Sequence, residues 1–274
     1  IASLCQAATT VWTVGFWLAL AAGLLGNSLA IFTIASLPRA TSTFYVGLLA
    51  VSDLLALCVR GSIHVLTERG IITQAGAGSS LVAMLYDYAA SYSNWLLVLI
   101  GVERLLTLRF PLQKRVLLTV RRAQASAALL ALALLLAYGL AARALDYLDP
   151  QVFALRNLLY AVLPLLLNAA IIALVSCQMR RAQRAREKIL TIARLENSIT
   201  VMMLAAAVCF CLLTMPNCLL LYLYEAASRA VWNAPVAKAR LILVSRITEL
   251  LTLLNLSVNF LLYFLSAKKF RAQL

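Results

Sequence analysis

Charged residues are scarce in this 274-residue sequence, and histidine is nearly absent. Only 12% of the residues are Asp, Glu, Lys or Arg, whereas soluble domains average about a quarter. The single histidine is His64, and the six cysteines form neither a CxxC pair nor a Cys/His cluster, so a zinc site is not expected. The sequence also lacks a recognisable nucleophile–base pair. We therefore predict that the protein is not an enzyme.

Apolar residues are abundant instead, at 64% of the chain, and the mean hydropathy is +0.92. A bilayer core about 30 Å thick requires about 20 apolar helical residues for each crossing. We predict an all-α membrane protein, a single seven-transmembrane helix bundle over 1–274. The predicted spans are 8–35, 43–66, 77–108, 120–142, 151–180, 192–226 and 238–265. Residues 266–274, where Phe270 and Leu274 are four apart, predict a short amphipathic helix on the membrane surface.

The net charge of +14 is concentrated in alternate connections of this topology. Lys and Arg cluster after the third and fifth spans and in the C-terminal tail, as in Arg180-Arg181 and Lys268-Lys269, and Arg39 follows the first span. By the positive-inside rule these connections are cytoplasmic and the N-terminus is extracellular. The charge therefore faces anionic lipid and cytoplasmic partners rather than nucleic acid. We predict a multi-pass protein of the plasma membrane.

An aspartate, Asp53, lies near the middle of the second apolar run. A charge at this depth costs several kcal/mol and by default indicates function. Asn255 and Asn259 are four apart and share one helix face, and we expect them, with Ser93, beside Asp53. An ionised carboxylate there needs a cation, a proton or hydrogen bonds. Asn27 in the first span needs an internal partner for the same reason.

Several further residues lie at defined spacings along the spans. They are Glu103-Arg104 and Arg109-Phe110-Pro111-Leu112 around the third span, Pro164 in the fifth, Phe210 and Pro216 in the sixth, and Asn259-Phe260-Leu261-Leu262-Tyr263 in the seventh. With Asn27 and Asp53, this ordered set resembles rhodopsin-like G-protein-coupled receptors over essentially the whole chain. The segments 104–112 and 259–263 are most similar to the peptide-receptor branch.

The resemblance implies a receptor that binds an extracellular ligand and signals to a heterotrimeric G protein by rearranging helices 3, 5 and 6. It implies a sodium ion at Asp53 and a resting contact in which Glu103 restrains Arg104. Phe210, Pro216 and Tyr263 are then activation residues.

The sequence departs from the family pattern at several positions. Ser79 occupies the place of a disulfide cysteine, so we expect no interhelical disulfide. Thr214, Phe260 and Ile172 replace an aromatic switch, a helix-7 proline and a helix-5 tyrosine. These departures, with the Ala/Leu-rich fourth span, favour an alternative: a redesigned or stabilised receptor-like scaffold with weak or no signalling. A transporter is a third hypothesis, but it predicts internal repeats that the sequence does not contain.

The outer halves of the predicted spans carry a second polar set. It comprises Arg60, His64, Tyr86, Asp87, Arg156, Asn217, Arg246 and Glu249. If the helices bring these side chains together, their mixed charge suits a peptide or zwitterionic ligand. The alternative is internal ion pairing without a ligand, such as Asp87 with Arg60 or Glu249 with Arg156.

Overall fold

The computed structural model describes residues 1–71, 77–144, 150–186, 193–226 and 234–266, and these ranges contain helices and no strand. The long helices are α1 (Ala2–Ala35), α2 (Thr41–Glu68), α3 (Ala77–Arg109), α4 (Val120–Ala144), α5 (Leu163–Arg186), α6 (Ala193–Ala226) and α7 (Pro235–Ser266). The predicted amphipathic helix at 266–274 lies almost wholly outside the described residues. Several of the long helices extend beyond the predicted spans. The clearest case is α1, which begins at Ala2 rather than at residue 8.

Five stretches of the described residues are long and apolar enough to cross a membrane. They are Ala2–Ala35, Thr41–Glu68, Val120–Leu140, Ala154–Arg180 and Pro235–Asn259. Leu204–Leu220 in α6 is a shorter apolar segment, and α3 is not in the set. The protein is therefore an all-helical, multi-pass membrane protein.

The polarity of α3 follows from its position among the other helices. It packs against α2, α4, α5 and α6, and its Ser91, Ser93 and Asn94 are fully or almost fully buried. In contrast, large apolar side chains on the outer helices are exposed, among them Leu25 at 68% and Leu129 at 69%. Exposed apolar surface and buried polar surface are the arrangement expected of helices in lipid, where buried polar groups need protein partners.

A π-helical turn, Leu158–Val162, joins a first segment, Pro150–Asn157, to α5. Such a turn leaves backbone carbonyls without their usual helical partners. Here the Asn94 amide donates to the Tyr160 carbonyl, and the Trp95 indole N–H donates to the Leu159 carbonyl, both at 2.8 Å. Side chains of α3 therefore hold the irregular turn in place.

Close packing of α1 against α2 and α7 depends on Gly23. A Cβ atom at this position would lie 2.5 Å from Ser257 Oγ and 2.6 Å from Leu57 Cδ1. Small residues allow such close approach of helices in membranes. We expect Gly23→Val to lower the free energy of unfolding by about 1–3 kcal/mol through overpacking.

The measurement is the melting temperature in detergent. The control is Gly139→Val, because a Cβ at Gly139 has no neighbour within 4 Å among the described atoms. Equal melting temperatures for the two variants would contradict close packing at Gly23.

All six cysteines lie in the described residues, and each is a free thiol. A disulfide typically stabilises a protein by about 2–4 kcal/mol, so its loss is readily detected. We therefore expect dithiothreitol to leave the melting temperature unchanged within about one degree. A fall of many degrees on reduction would show that a disulfide forms in the membrane-extracted protein.

Candidate functional site

A polar network at the centre of the bundle joins α2, α3 and α7. Asp53 is fully buried, and its two carboxylate oxygens accept separate hydrogen bonds. Ser93 Oγ donates to Oδ1, and Asn259 Nδ2 donates to Oδ2 at 2.6 Å. These contacts lower the cost of burying a carboxylate, because each oxygen keeps a polar partner.

Asn255 was expected beside Asp53, but its partner in the structure is Asn94. Asn255 Nδ2 lies 3.5 Å from Asn94 Oδ1. Asn255 is one helical turn from Asn259, about 5–6 Å along α7, so the Asn255 amide reaches α3 whereas the Asn259 amide reaches Asp53 of α2. Sequence reasoning did not identify Asn94, although an amide beside Ser93 in an apolar run is a signal of the same kind.

Asn27 links α1 to α7 rather than to Asp53 directly. Its amide donates to the carbonyls of Gly23 and Leu256, both at 2.9 Å. Its Oδ1 atom is buried and has no hydrogen-bond partner in the described part of the chain. This side chain therefore retains one free acceptor in the interior.

The central network offers the ligand types that a hard cation prefers. Carboxylate and hydroxyl oxygens are available from Asp53 and Ser93, the Asn259 amide faces the carboxylate through its nitrogen, and one carboxylate matches one positive charge. The described residues contain no cluster of three or more His, Cys, Asp or Glu side chains. The donor set therefore fits a monovalent cation better than a transition metal.

Glu103 and Arg104 lie near the C-terminal end of α3, and their side chains are only 4% and 5% exposed. Arg104 Nη2 is 3.5 Å from both carboxylate oxygens of Glu103, so their contact is long. Arg104 Nε is buried and has no hydrogen-bond partner among the described atoms. The guanidinium is thus a buried cation with part of its hydrogen-bonding capacity unused.

The two predicted activation residues of α6 differ in burial, because Phe210 is fully buried and Pro216 is only partly buried. Phe210 is fully buried in an apolar cluster that includes Leu96 and Leu97 of α3. Pro216 lies inside α6, where proline removes one backbone hydrogen bond. Thr214 is fully buried, and its hydroxyl has no partner among the described residues. Tyr263 belongs to α7, but its side chain lies outside the described residues.

A cavity of about 160 Å³ opens between the helices at the end of the bundle remote from Arg104. We call it the outer cavity. Its lining comprises Arg60, Tyr86, Asp87, Arg156, Asn157, Tyr160, Asn217, Cys218, Glu249, Thr252 and Leu253. Six of the eight predicted outer residues therefore line one cavity. The other two, Arg246 and His64, do not line it.

Ion pairs in this cavity differ from those considered from the sequence. Arg156 Nη2 is 2.5 Å from Asp87 Oδ2, and Arg60 Nη2 is 3.5 Å from Glu249 Oε2. The suggested pairs, Asp87 with Arg60 and Glu249 with Arg156, are not the contacts observed. Asp87 on α3 faces the segment that precedes α5, whereas Glu249 on α7 faces α2, so each acid contacts the arginine of its neighbouring helix.

Trp12, which sequence reasoning did not identify, connects two of the arginines. The guanidinium carbons of Arg60 and Arg246 lie 5.4 Å and 4.9 Å from the Trp12 ring centroid. Arg246 Nη1 also lies 3.1 Å from Glu249 Oε2. One carboxylate and one indole ring therefore hold two guanidinium groups, which stabilises both cations.

His64 belongs to an aromatic cluster at the edge of this region. Its ring centroid is 4.1 Å from that of Phe16 and 5.5 Å from that of Trp17. Its Nε2 atom is 3.3 Å from Glu68 Oε1. His64 therefore does not line this cavity, because aromatic side chains of α1 cover it, and its predicted part in ligand binding stays a prediction.

No protein-family model matches this chain, and no match is found among curated proteins. The arrangement of polar residues along α3 is therefore the main indication of function. Three residues lie at successive depths along this helix. Asp87 forms an ion pair in the cavity, Ser93 contacts the buried Asp53 carboxylate, and Arg104 is a buried cation.

Proposed function

We propose that the protein is a seven-helix receptor similar to the rhodopsin-like class, with an extracellular N-terminus in the plasma membrane. In this proposal α3 and α6 cross the membrane together with the five more apolar helices. The cavity binds the ligand, and the end of the bundle that carries Arg104 binds a heterotrimeric G protein.

The observation that carries the proposal is the polar column along α3. From Asp87 to Arg104 the helix rises about 25 Å, close to the thickness of the hydrocarbon core. Polar contacts at both ends and at the middle of one helix are costly in lipid, so they are expected where a protein uses them. A single helix can thus couple an outer cavity to an inner surface.

The cavity favours a small zwitterionic group, such as a short part of a peptide that carries both a positive and a negative charge. Its volume of about 160 Å³ is below the roughly 300–1,000 Å³ of drug-sized pockets. Its charged lining contains two arginines, Arg60 and Arg156, and two acids, Asp87 and Glu249. A ligand carrying both charges can replace either ion pair without leaving its partner unpaired.

Ligand binding shifts a two-state equilibrium in this proposal, because it changes the contacts that α3, α7 and the segment preceding α5 make in the cavity. Pro216 weakens the backbone ladder of α6 and gives that helix a position at which to bend. Movement of α6 then exposes Arg104 to the G protein. Asp53 and Ser93 would hold a sodium ion in the resting state, and the ion would then stabilise the arrangement of α2, α3 and α7.

The test is nucleotide exchange on purified G proteins of each class, with the protein in lipid nanodiscs and a panel of short zwitterionic peptides. We expect at least one peptide to accelerate exchange. Absence of exchange with every G protein, together with peptide binding, would instead support the stabilised scaffold. That alternative is favoured by Thr214 at the aromatic-switch position, because its hydroxyl is buried and has no hydrogen-bond partner within the described ranges.

A further inference from the structure

A second and larger cavity lies at the basic end of the bundle, between α1, α2 and α4. Its volume is about 540 Å³. Its lining comprises Ile34, Ala35, Leu37, Arg39, Ala40, Thr43, Phe44, Val120 and Gln124. We call it the α1–α2–α4 groove. It is separate from the outer cavity, and none of its residues belongs to the central network.

The groove has apolar walls and one cation. Ile34, Leu37, Phe44 and Val120 are partly exposed apolar side chains, whereas Arg39 is exposed and charged. No acidic residue lines the groove, and Arg39 forms no ion pair among the described residues. Its guanidinium is therefore available for an external anion.

The backbone next to Arg39 is held in a defined turn. The Ala40 N–H donates to Thr43 Oγ1 at 2.9 Å, and this hydroxyl lies 3.1 Å from the Pro38 carbonyl. The turn fixes the backbone position of Arg39 just before the start of α2. Gln124 on α4 adds an exposed side-chain amide that can donate to an oxygen acceptor.

From this combination we propose that the α1–α2–α4 groove binds an anionic phospholipid. The phosphate contacts Arg39, Gln124 donates to a phosphate or ester oxygen, and an acyl chain lies along Phe44, Leu37 and Ile34. A soluble anion would not require these apolar walls. A neutral lipid would not use the unpaired guanidinium, and basic pockets between helices on the cytoplasmic side favour anionic head groups.

The test uses the full chain in mixed micelles, with dioleoyl-phosphatidylglycerol and dioleoyl-phosphatidylcholine as probes of identical acyl chains. Native mass spectrometry measures the lipid retained by each protein. We expect phosphatidylglycerol to be retained preferentially. Arg39→Gln should lower its affinity about fivefold, and Arg39→Lys should restore most of it.

Arg180→Gln is the matched control, because Arg180 is exposed at the same end of the bundle but does not line the groove. It should change phosphatidylglycerol affinity less than about twofold, as expected of a remote surface charge. Phe44→Ala should weaken the binding of the dioleoyl lipid more than the binding of a dihexanoyl analogue, because it removes an apolar side chain that contacts the long acyl chain.

Three results would overturn the proposal. They are equal retention of the two lipids, an equal loss with Arg180→Gln, and displacement of phosphatidylglycerol by inorganic phosphate at the same concentration. The last would assign the groove to a soluble anion. Because no G protein is present, these results are independent of the receptor proposal.

Discussion

Replacing Arg104 with alanine is expected to reduce G-protein nucleotide exchange by about ten- to a hundredfold. The guanidinium is buried and lies 3.5 Å from the Glu103 carboxylate, and its Nε has no hydrogen-bond partner among the described residues. It can therefore exchange a weak contact for charge-assisted hydrogen bonds to a partner, which are worth about 1.5–3 kcal/mol. Ligand affinity should change less than about threefold, because roughly 25 Å of α3 separates Arg104 from the outer cavity.

The measurement pairs ligand affinity with ligand-stimulated exchange for each variant in the same nanodiscs. Arg109→Ala is the control, since Arg109 is exposed near the same end of α3. It should retain most of the exchange activity of the parent. If Arg104→Ala couples as well as Arg109→Ala, the guanidinium is not the coupling group and the scaffold interpretation gains support.

Sodium is expected to raise the melting temperature of the parent protein, and Asp53→Asn is expected to abolish this effect. Asp53 supplies the only carboxylate in the central network described above, and Ser93 contributes a hydroxyl oxygen beside it. A cation present at about ten times its Kd stabilises the folded state by about 1.4 kcal/mol. For a protein of this size, that corresponds to a shift of a few degrees.

The comparison replaces sodium chloride by choline chloride at constant ionic strength, so that general screening is unchanged. Asp87→Asn is the matched control, because it removes a carboxylate from α3 in the outer cavity and leaves Asp53 intact. This variant should keep the sodium effect of the parent. No sodium effect in the parent, or its loss in both variants, would rule out a sodium site at Asp53.

The sequence was sufficient to predict which residues need polar partners. Asp53, Asn27 and Asn259 are conspicuous because each interrupts an apolar run, and desolvation forces such groups to pair inside the protein. The four-residue spacing of Asn255 and Asn259 also predicted their shared helix face. The receptor function, the G-protein partner and the peptide-like ligand remain predictions.

Only the tertiary structure decided which partner each polar group takes. Asn255 contacts Asn94, Asp87 contacts Arg156, and Glu249 contacts Arg60. These choices depend on the rotation and vertical offset of neighbouring helices. Packing at close contacts such as Gly23 sets both quantities, and a shift of one residue turns a side chain by about 100°.

The tertiary structure also revealed residues that a linear pattern does not mark. Trp12 lies in an apolar stretch of α1 and becomes part of the arginine cluster only because α1 packs against α2 and α7. In the sequence, Arg39 is one basic residue of a short connection. In the structure it lines a groove together with the apolar side chains Ile34, Phe44 and Val120. Hydrophobic periodicity and charge thus determine the helices and their buried polar groups, whereas the packing of side chains between helices determines which groups meet.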